Sequence, residues 1–358
     1  MKLCCDIFPH RLRFRFEAGT SRGVLTEKTT YLLRVRADGR TGWGECGPLR
    51  GLSPDDRPDF AAQLQKVCAA LASADLGPDE AAARLDALVP PDLPAVRFGV
   101  ETALADLRRA RPFQLFDNAF ARGERPLPIN GLVWMGPAEV MRQQIDEKLA
   151  AGFTCIKMKI GALDFDTEWA LLADVRARYS AAQITLRVDA NGAFAPDDAP
   201  EKLARLAELD LHSIEQPIRA GQWPQMAALC HRSPLPIALD EELIGVTDPA
   251  RRNQLLDQIN PAYIILKPTL VGGIRATHDW IARAEARGIG WWITSALESN
   301  VGLNAVAQLT GEYAVTLPQG LGTGQLYHNN VPAPLTIRAG HLHYAPGGPW
   351  ADPAALPS

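Results

Sequence analysis

The sequence has no cysteine framework, no excess of basic residues and no long apolar run. Its six cysteines form neither a CxxC pair nor a regular framework, so in a chain of 358 residues we expect reduced thiols and a cytoplasmic location. Lys and Arg number 37 against 41 Asp and Glu, which argues against partners such as nucleic acid or an anionic membrane. No apolar run approaches the roughly 20 residues that span a bilayer.

The composition is that of an ordinary globular protein, with 47% hydrophobic and 22% charged residues. At roughly 150 residues per domain, the length predicts two domains and a substantial core. We therefore expect an enzyme that acts on a small molecule. The sequence leaves the oligomeric state open.

Residues 1–125 are predicted to form a small α+β domain. Polar and apolar residues alternate over 11–16 and again over 29–36, which is the period of a half-buried strand. Strands followed by helices are typical of an α+β domain. The predicted helices are 57–73, 79–88 and 95–111.

Residues 126–320 show a different pattern, in which short apolar strands alternate with helices. The predicted strands are 129–135, 155–160, 184–189, 213–216, 237–240, 263–267, 291–295 and a weaker one at 315–318. The predicted helices include 137–151, 165–179, 199–209, 274–287 and 301–310. This alternation predicts a (β/α)8 barrel. A doubly wound sheet is the alternative, and it is disfavoured because the sequence has no GxGxxG motif after a first strand, as a dinucleotide-binding fold would need. Residues 321–358 are expected to return to the first domain.

Charged residues end five consecutive strands of the predicted barrel. Asp189 precedes Glu215 by 26 residues, and Asp240 and Lys267 follow at intervals of 25 and 27, each the length of one strand–helix unit. Because barrel active sites are built at the carboxyl ends of the strands, these side chains are predicted to converge at one mouth. The segments are KMK at 157–159, RVDAN at 187–191, IEQ at 214–216, LDE at 239–241 and LKP at 266–268.

Asp189, Glu215 and Asp240 predict a metal site. Three carboxylates brought together repel one another and raise each other's pKa values, and a divalent cation removes that repulsion. Hard oxygen ligands without His or Cys favour Mg²⁺, with Mn²⁺ as the alternative, over Zn²⁺.

Three lysines flank this predicted metal site. Alternation along a strand places Lys157 and Lys159 on one face, and Lys267 lies on a strand across the barrel. A lysine pKa of about 10.4 must fall towards roughly 7–8 for the amine to act as a base at neutral pH, and nearby positive charge lowers it. A metal with a lysine can remove a proton α to a carboxylate and stabilise the resulting enediolate.

These motifs resemble the enolase superfamily, in its muconate-lactonizing-enzyme-like branch. The resemblance rests on the KMK and RVDAN segments together with IEQP at 214–217, LDEE at 239–242 and LKPTLVGG at 266–273. Within that branch the late-barrel segments are similar to the o-succinylbenzoate synthase family. These segments are LKPTLVGG, ITSALESNVGLNAVAQL at 293–309 and PQGLGTGQLYHNN at 318–330, and GWGECGPLRGLS at 42–53 extends the likeness to the first domain.

The resemblance implies a modified TIM barrel, (β/α)7β, capped by an α+β domain built from both chain ends. It assigns the three acids to the metal and the three lysines to catalysis. Lys159 would be the catalytic acid/base with Lys157 as its companion, and Lys267 would be the cation on the opposite face.

The implied reaction is the syn-dehydration of 2-succinyl-6-hydroxy-2,4-cyclohexadiene-1-carboxylate to 2-succinylbenzoate, a lyase step of menaquinone or phylloquinone biosynthesis. Lys159 would remove the α-proton and then assist the departure of hydroxide. Mg²⁺ would hold the enediolate, and Lys267 would stay charged and stabilise it.

A second group of residues is predicted to bind the substrate. Ser295, Ser299, Gly322 and Thr323 lie in or beside the last two strand–helix loops, which often bind anions, and are expected near the succinyl chain. Arg187 is expected to point into the barrel, where it either lies near the substrate or forms a structural ion pair.

Three further features allow two interpretations each. Asn191 either orients Asp189 or shapes the turn with Gly192, and the turn is preferred. If the strand is regular, Glu241 faces away from Asp240, the predicted metal ligand before it. It then either supports one of the lysines without touching the substrate or forms an ion pair on the outer face of the barrel. Loops 19–23 and 47–51 either close over the substrate or are ordinary surface loops.

Other functions remain compatible with these residues. The nearest is that of an N-succinylamino acid racemase or dipeptide epimerase, in which Lys159 and Lys267 exchange a proton across two faces. A Schiff-base aldolase would use the same lysines but would not need three ordered carboxylates. A non-catalytic barrel would need none of these positions.

Overall fold

The computed structural model describes residues 2–20 and 23–356. The first domain is a three-stranded antiparallel sheet followed by helices, as the alternating segments predict. Its long helices lie within two or three residues of the predicted starts. The elements are β1 (Cys4–Thr20), β2 (Gly23–Ala37), β3 (Arg40–Cys46), α1 (Phe60–Ser73), α2 (Pro78–Ala83), α3 (Leu85–Leu88) and α4 (Pro94–Leu107).

Helix α4 packs directly on β3 because both elements carry a glycine at the contact, Gly99 in the helix and Gly44 in the strand. A Cβ atom on Gly44 would lie 1.9 Å from the carbonyl oxygen of Gly99, so neither chain could approach as closely with a larger residue at position 44. This packing fixes the strand that carries Glu45 against the body of the first domain.

The second domain alternates strands and helices. Seven parallel strands form one sheet in which the strands pair in the order they follow along the chain, with the helices between them in sequence. The elements are β4 (Leu127–Pro128), β5 (Gly131–Val133), α5 (Ala138–Ala150), β6 (Cys155–Lys159), α6 (Phe165–Arg178), β7 (Thr185–Asp189), α7 (Ala199–Ala207), β8 (Ser213–Glu215), α8 (Trp223–Arg232), β9 (Ile237–Leu239), α9 (Pro249–Ile259), β10 (Tyr263–Leu266), α10 (Pro268–Val271), α11 (Gly273–Glu285), β11 (Gly290–Ile293) and α12 (Asn300–Thr310).

Residues 319–320 close the sheet into a barrel. Gln319 forms a parallel bridge with Ile129 and Gly320 forms one with Thr294, so the two edges of the sheet are joined. The predicted eighth strand at 315–318 is therefore wrong in position. Pro318 has no backbone N–H to donate, whereas the amides of the next two residues bond to both edges.

The last part of the chain contacts both domains. Tyr327 forms an antiparallel bridge with Phe14 of β1. The hairpin of β12 (Leu335–Arg338) and β13 (His341–Tyr344) pairs instead with β4. The domain boundaries at 125/126 and 320/321 stay a prediction.

A mixed apolar cluster joins the two domains. Leu12 and Leu49 from the first domain pack with Trp134, Leu297 and Tyr327 from later in the chain. All six cysteines are free thiols. Within the described ranges, no helix combines the length and apolarity needed to cross a membrane.

Candidate active site

The charged strand ends lie at one edge of the barrel, as their spacing predicts. Lys159 is the register partner of Asp189, and Asp189 is the register partner of Glu215. Asp240 and Lys267 directly follow β9 and β10, the next two strands in the sheet. The parallel strands therefore bring charged residues from five strands to the same end of the barrel.

Two lysines share one carboxylate at this edge. Lys159 Nζ lies 3.0 Å from Oδ2 of Asp189, and Lys157 Nζ lies 3.1 Å from the same oxygen. Lys157 also donates a hydrogen bond to Glu215. Across the barrel, Lys267 forms an ion pair with Asp240. The strand alternation thus turns both lysines of the KMK segment inward, while Met158 is buried in the apolar core.

Charge pairing shifts the ionisation of these groups. Burial alone would raise the pKa of Asp189, but the ammonium groups of Lys157 and Lys159 lower it. Burial and the neighbouring Asp189 raise the pKa of Glu215. Burial opposes the charge on Lys157 and Lys267, yet the nearby carboxylates raise the pKa of both amines. Positive neighbours were expected to lower lysine pKa values here, but the ammonium groups of Lys157 and Lys267 each contact a carboxylate, which has the opposite effect.

Asn191 connects Lys159 to Glu241. Lys159 donates a hydrogen bond of 2.8 Å to Oδ1 of Asn191, and Asn191 Nδ2 donates one of 3.0 Å to Oε1 of Glu241. Asn191 also has a φ of 44°, so it shapes the turn as preferred and holds the lysine as well. Glu241 reaches this site because β9 ends at Leu239 and a 3₁₀ turn begins at Glu241, which breaks the strand alternation.

The three predicted metal ligands supply donors that suit a hard cation. Among residues 2–20 and 23–356, no three His, Cys, Asp or Glu side chains are arranged so that they could hold a metal ion as they stand. Asp189, Glu215 and Asp240 are nevertheless at most 2% exposed and supply only oxygen atoms. Lys157 Nζ contacts both Asp189 and Glu215, so one cation can reach both. Glu215 Oε1 is buried without a hydrogen-bond partner among the described residues.

A cavity of about 340 Å³ adjoins these groups. Lys159, Lys267 and Asp189 face it from the barrel, whereas Glu215 and Asp240 are not among its lining residues. Side chains from the first domain and from the barrel mouth make much of the wall apolar. These include Phe16, Leu25, Leu49, Leu132, Trp134 and Leu297.

Both glycine loops of the first domain lie near this cavity. Thr20 and Leu49 line it, one from each loop, while residues 21 and 22 of the first loop lie outside the described residues. Gly19 forms an antiparallel β-bridge with Met135, which lies two residues after the end of β5. A Cβ atom on Gly19 would lie 2.2 Å from the Met135 carbonyl oxygen, so this close approach requires glycine.

The predicted substrate-binding residues divide into two groups. Ser295, Gly322 and Thr323 line the cavity, and Thr323 donates a hydrogen bond of 2.8 Å to Ser295 Oγ. Ser299 does not line it. Its hydroxyl caps α12 and donates a hydrogen bond to Glu45, so it joins the domains rather than facing a ligand.

Arg187 also lies away from the cavity. Its guanidinium group lies 4.1 Å from the Trp292 ring centre and donates a hydrogen bond of 2.7 Å to the carbonyl oxygen of Pro318. Strand alternation turns the Arg187 side chain into the barrel, as predicted. Because Arg187 precedes Asp189 by two residues in β7, it lies deeper in the barrel than the mouth. The structure therefore places Arg187 in the barrel interior, where its contacts with described residues include no acidic ion-pair partner.

Several wall residues had no signal in the sequence. Phe16 lies in the irregular stretch of β1 between Arg13 and Ala18, and Leu49 and Leu297 lie in loops. Nothing in their spacing distinguishes these apolar residues from core residues. Asn191 did carry a signal, because it lies two residues after Asp189 and thus on the same face of the chain.

Comparison with known proteins identifies the family. Residues 140–349 match the family model described as enolase C-terminal domain-like. An o-succinylbenzoate synthase from Desulfotalea psychrophila is 49% identical over 354 residues, which cover 92% of this chain and 96% of that protein. The chain belongs to the o-succinylbenzoate synthase family of the enolase superfamily. The resemblance inferred from the motifs is thereby confirmed.

A solved structure of this family has the same fold. MenC from Desulfotalea psychrophila LSv54 matches with a TM-score of 0.86 and 45% sequence identity, covering 96% of this chain and 100% of that one. The predicted (β/α)7β barrel with a capping domain is confirmed. A more distant relative, an N-succinylamino acid racemase from Amycolatopsis sp, is 29% identical over 94% of this chain and 90% of that protein.

Proposed function

We propose that this member of the o-succinylbenzoate synthase family dehydrates 2-succinyl-6-hydroxy-2,4-cyclohexadiene-1-carboxylate to 2-succinylbenzoate. The observation that carries the proposal is that Lys159 and Lys267, from strands on two sides of the barrel, face one cavity together with Asp189. A molecule bound there has an amine on each side. This arrangement suits removal of a proton α to a carboxylate, because one amine can take the proton while the other, as an ammonium, stabilises the charge that develops.

Lys159 is the proposed acid/base. As a neutral amine it takes the α-proton of the substrate, and the electron pair of that C–H bond passes into the carboxylate to form an enediolate. The protonated amine then gives its proton to the departing hydroxyl group as the C–O bond breaks. One water leaves, both transfers occur on one face, and Lys159 returns to its starting state.

Lys267 is the proposed electrostatic stabiliser. Its ion pair with Asp240 holds the ammonium in place, and the surrounding carboxylates keep it charged by raising its pKa. A fixed positive charge beside the enediolate favours the transition state more than the substrate, whose charge is less developed at that point.

Asp189, Glu215 and Asp240 would hold a divalent cation, which we propose to be Mg²⁺. When bound, the cation supplies a Lewis acid that lowers the energy of negative charge on the substrate carboxylate. A role in menaquinone biosynthesis and a cytoplasmic location follow from the proposed reaction and stay predictions.

The proposal is tested by following dehydration spectrophotometrically with Mg²⁺ and with EDTA. We expect metal-dependent turnover by the wild-type protein, a loss of at least about 10³-fold in kcat for Lys159→Ala, and unchanged turnover for Lys66→Ala, which alters an exposed lysine of α1. Wild-type protein that racemises N-succinylamino acids without dehydrating the proposed substrate would refute the substrate assignment. It would instead support the two-base alternative, in which Lys159 and Lys267 exchange a proton.

A further inference from the structure

Leu297 has an unfavourable backbone conformation at the cavity wall. Its φ is 64°, in the left-handed region that residues with a Cβ atom rarely adopt. Its side chain lines the cavity and is 8% exposed. A conformation of this kind persists only where the surrounding contacts determine it, and such residues cluster at ligand sites.

Two buried donors hold the carbonyl group of Leu297. Lys28 Nζ donates a hydrogen bond of 3.0 Å to this oxygen, and Tyr327 Oη donates one of 2.7 Å. The amide of Leu297 in turn donates a hydrogen bond of 3.0 Å to Ser295 Oγ. The peptide groups on both sides of the residue are therefore fixed.

The two donors come from distant parts of the chain. Lys28 belongs to β2 of the first domain and is 6% exposed, and Tyr327 follows the barrel and is 1% exposed. Burial lowers the pKa of Lys28 overall, although the carboxylates of Glu45 and Glu298 oppose this shift. The ammonium thus lies in a buried, negatively charged environment at the contact between the domains.

The two carboxylates fix the rest of the loop. Glu298 accepts hydrogen bonds from Thr269, Ser295 and the amide of Ala296. Glu45 accepts from the amide of Ser299 at the start of α12. Against this rigid frame, the isobutyl group of Leu297 packs with apolar residues of both domains and forms part of the cavity wall.

We infer that Lys28 and Tyr327 are positioning residues that hold Leu297 in its left-handed conformation, and that Leu297 thereby provides an apolar contact for the substrate. The inference rests on the proposed function, because it concerns how that cavity binds the carbon skeleton of the substrate. On this inference the first domain does more than cover the cavity. Through Lys28 it also determines the shape of the cavity wall.

The test is a double-mutant cycle on dehydration kinetics. Tyr327→Phe removes one hydroxyl group and keeps the ring that packs on Phe14. We expect it to raise KM about fivefold with kcat within twofold, which is the effect of one hydrogen bond. Leu297→Gly adopts positive φ without strain but has no side chain to position. It should raise KM about tenfold, and adding Tyr327→Phe to it should change KM by less than twofold.

One control variant and one further test variant distinguish a failure of the inference from a failure of the proposed function. Tyr344→Phe removes a tyrosine hydroxyl far from Leu297 and should leave KM unchanged. Lys28→Met should raise KM in the same direction as Tyr327→Phe. An equal KM effect of Tyr327→Phe in the wild-type protein and in the Leu297→Gly variant, or no effect in either, would overturn the inference. Wild-type protein with no dehydration activity would overturn the proposed function instead.

Discussion

Lys159 Nζ lies 2.8 Å from Oδ1 of Asn191, and this contact directs the amine into the cavity. The amide nitrogen of Asn191 is held in turn by Glu241, so the orientation of the amide group is determined on both sides. Asn191 carries no charge of its own and acts through the proposed acid/base that it contacts. It is therefore a positioning residue.

Replacing Asn191 should slow proton transfer by Lys159. Asn191→Gly removes the amide without straining the positive φ, and we expect kcat to fall about tenfold because the amine loses its fixed position. The change is measured by steady-state kinetics, with the melting temperature as a check on folding. Asn253→Ala on the outer helix α9 is the matched control. An unchanged kcat for Asn191→Gly would contradict the assignment.

Removing one carboxylate should weaken metal binding. Glu215→Gln keeps the shape of the side chain but removes its charge, and we expect Mg²⁺ affinity to fall at least about tenfold because hard cations prefer charged oxygen ligands. Titration calorimetry with MgCl₂ measures this directly, and Glu208→Gln on the surface is the control. Equal Mg²⁺ binding by both variants would place the metal elsewhere.

Stability should fall as the pH rises from about 4 to 7. Asp106 is 1% exposed and accepts a hydrogen bond from the amide of Trp43, and burial raises its pKa to about 7. Between about pH 4 and 7 the folded chain keeps a proton that the unfolded chain has lost, so the free energy of unfolding decreases across this range and is constant above it.

Asp106→Asn isolates this contribution. The difference in unfolding free energy between pH 5 and pH 8, measured with urea, should be smaller in the variant by about 2–3 kcal/mol. Asp257→Asn should leave the difference unchanged, because Arg287 lowers the pKa of Asp257 and it stays ionised throughout. The same slope in wild type and Asp106→Asn would show that Asp106 is ionised when folded.

Gly19→Ala should disturb the contact between the first domain and the barrel. A Cβ atom there would overlap the carbonyl oxygen of Met135, and we expect a loss of about 1–3 kcal/mol in unfolding free energy with a raised KM. Gly136→Ala is the matched control, since its Cβ atom would meet only Val140 at 3.7 Å. Wild-type kinetics for Gly19→Ala would show that the contact is not needed for binding.

Ser299→Ala should reduce stability without affecting substrate affinity. Its hydroxyl accepts a hydrogen bond from the amide of Val301 and donates one to Glu45, and losing both should lower the unfolding free energy by about 1–2 kcal/mol. Urea denaturation and KM are measured on the same preparation. A raised KM at unchanged stability would return Ser299 to the substrate-binding group.

The barrel and its charged mouth were predictable because strand periodicity is local. A residue two positions along a strand lies on the same face, so the inward direction of Lys157 and Lys159 could be deduced from the KMK segment alone. Glu241 could not be placed in this way, because the strand before it ends two residues earlier and alternation no longer applies. The same limit applies to the eighth strand, which consists of two bridging residues after a proline.

The pattern of apolar and charged residues along the chain dictated the fold class, the lysines and the acids proposed to bind the metal, since each depends on spacing within one strand–helix unit. The tertiary structure alone decided which neutral residues surround them. Arg187 and Ser299 carry suitable chemistry but lie in the barrel interior and at a domain contact, whereas Leu297 lines the cavity because Lys28 and Tyr327 hold its backbone. Contacts between residues hundreds of positions apart depend on how the two domains pack, and no local pattern encodes that packing.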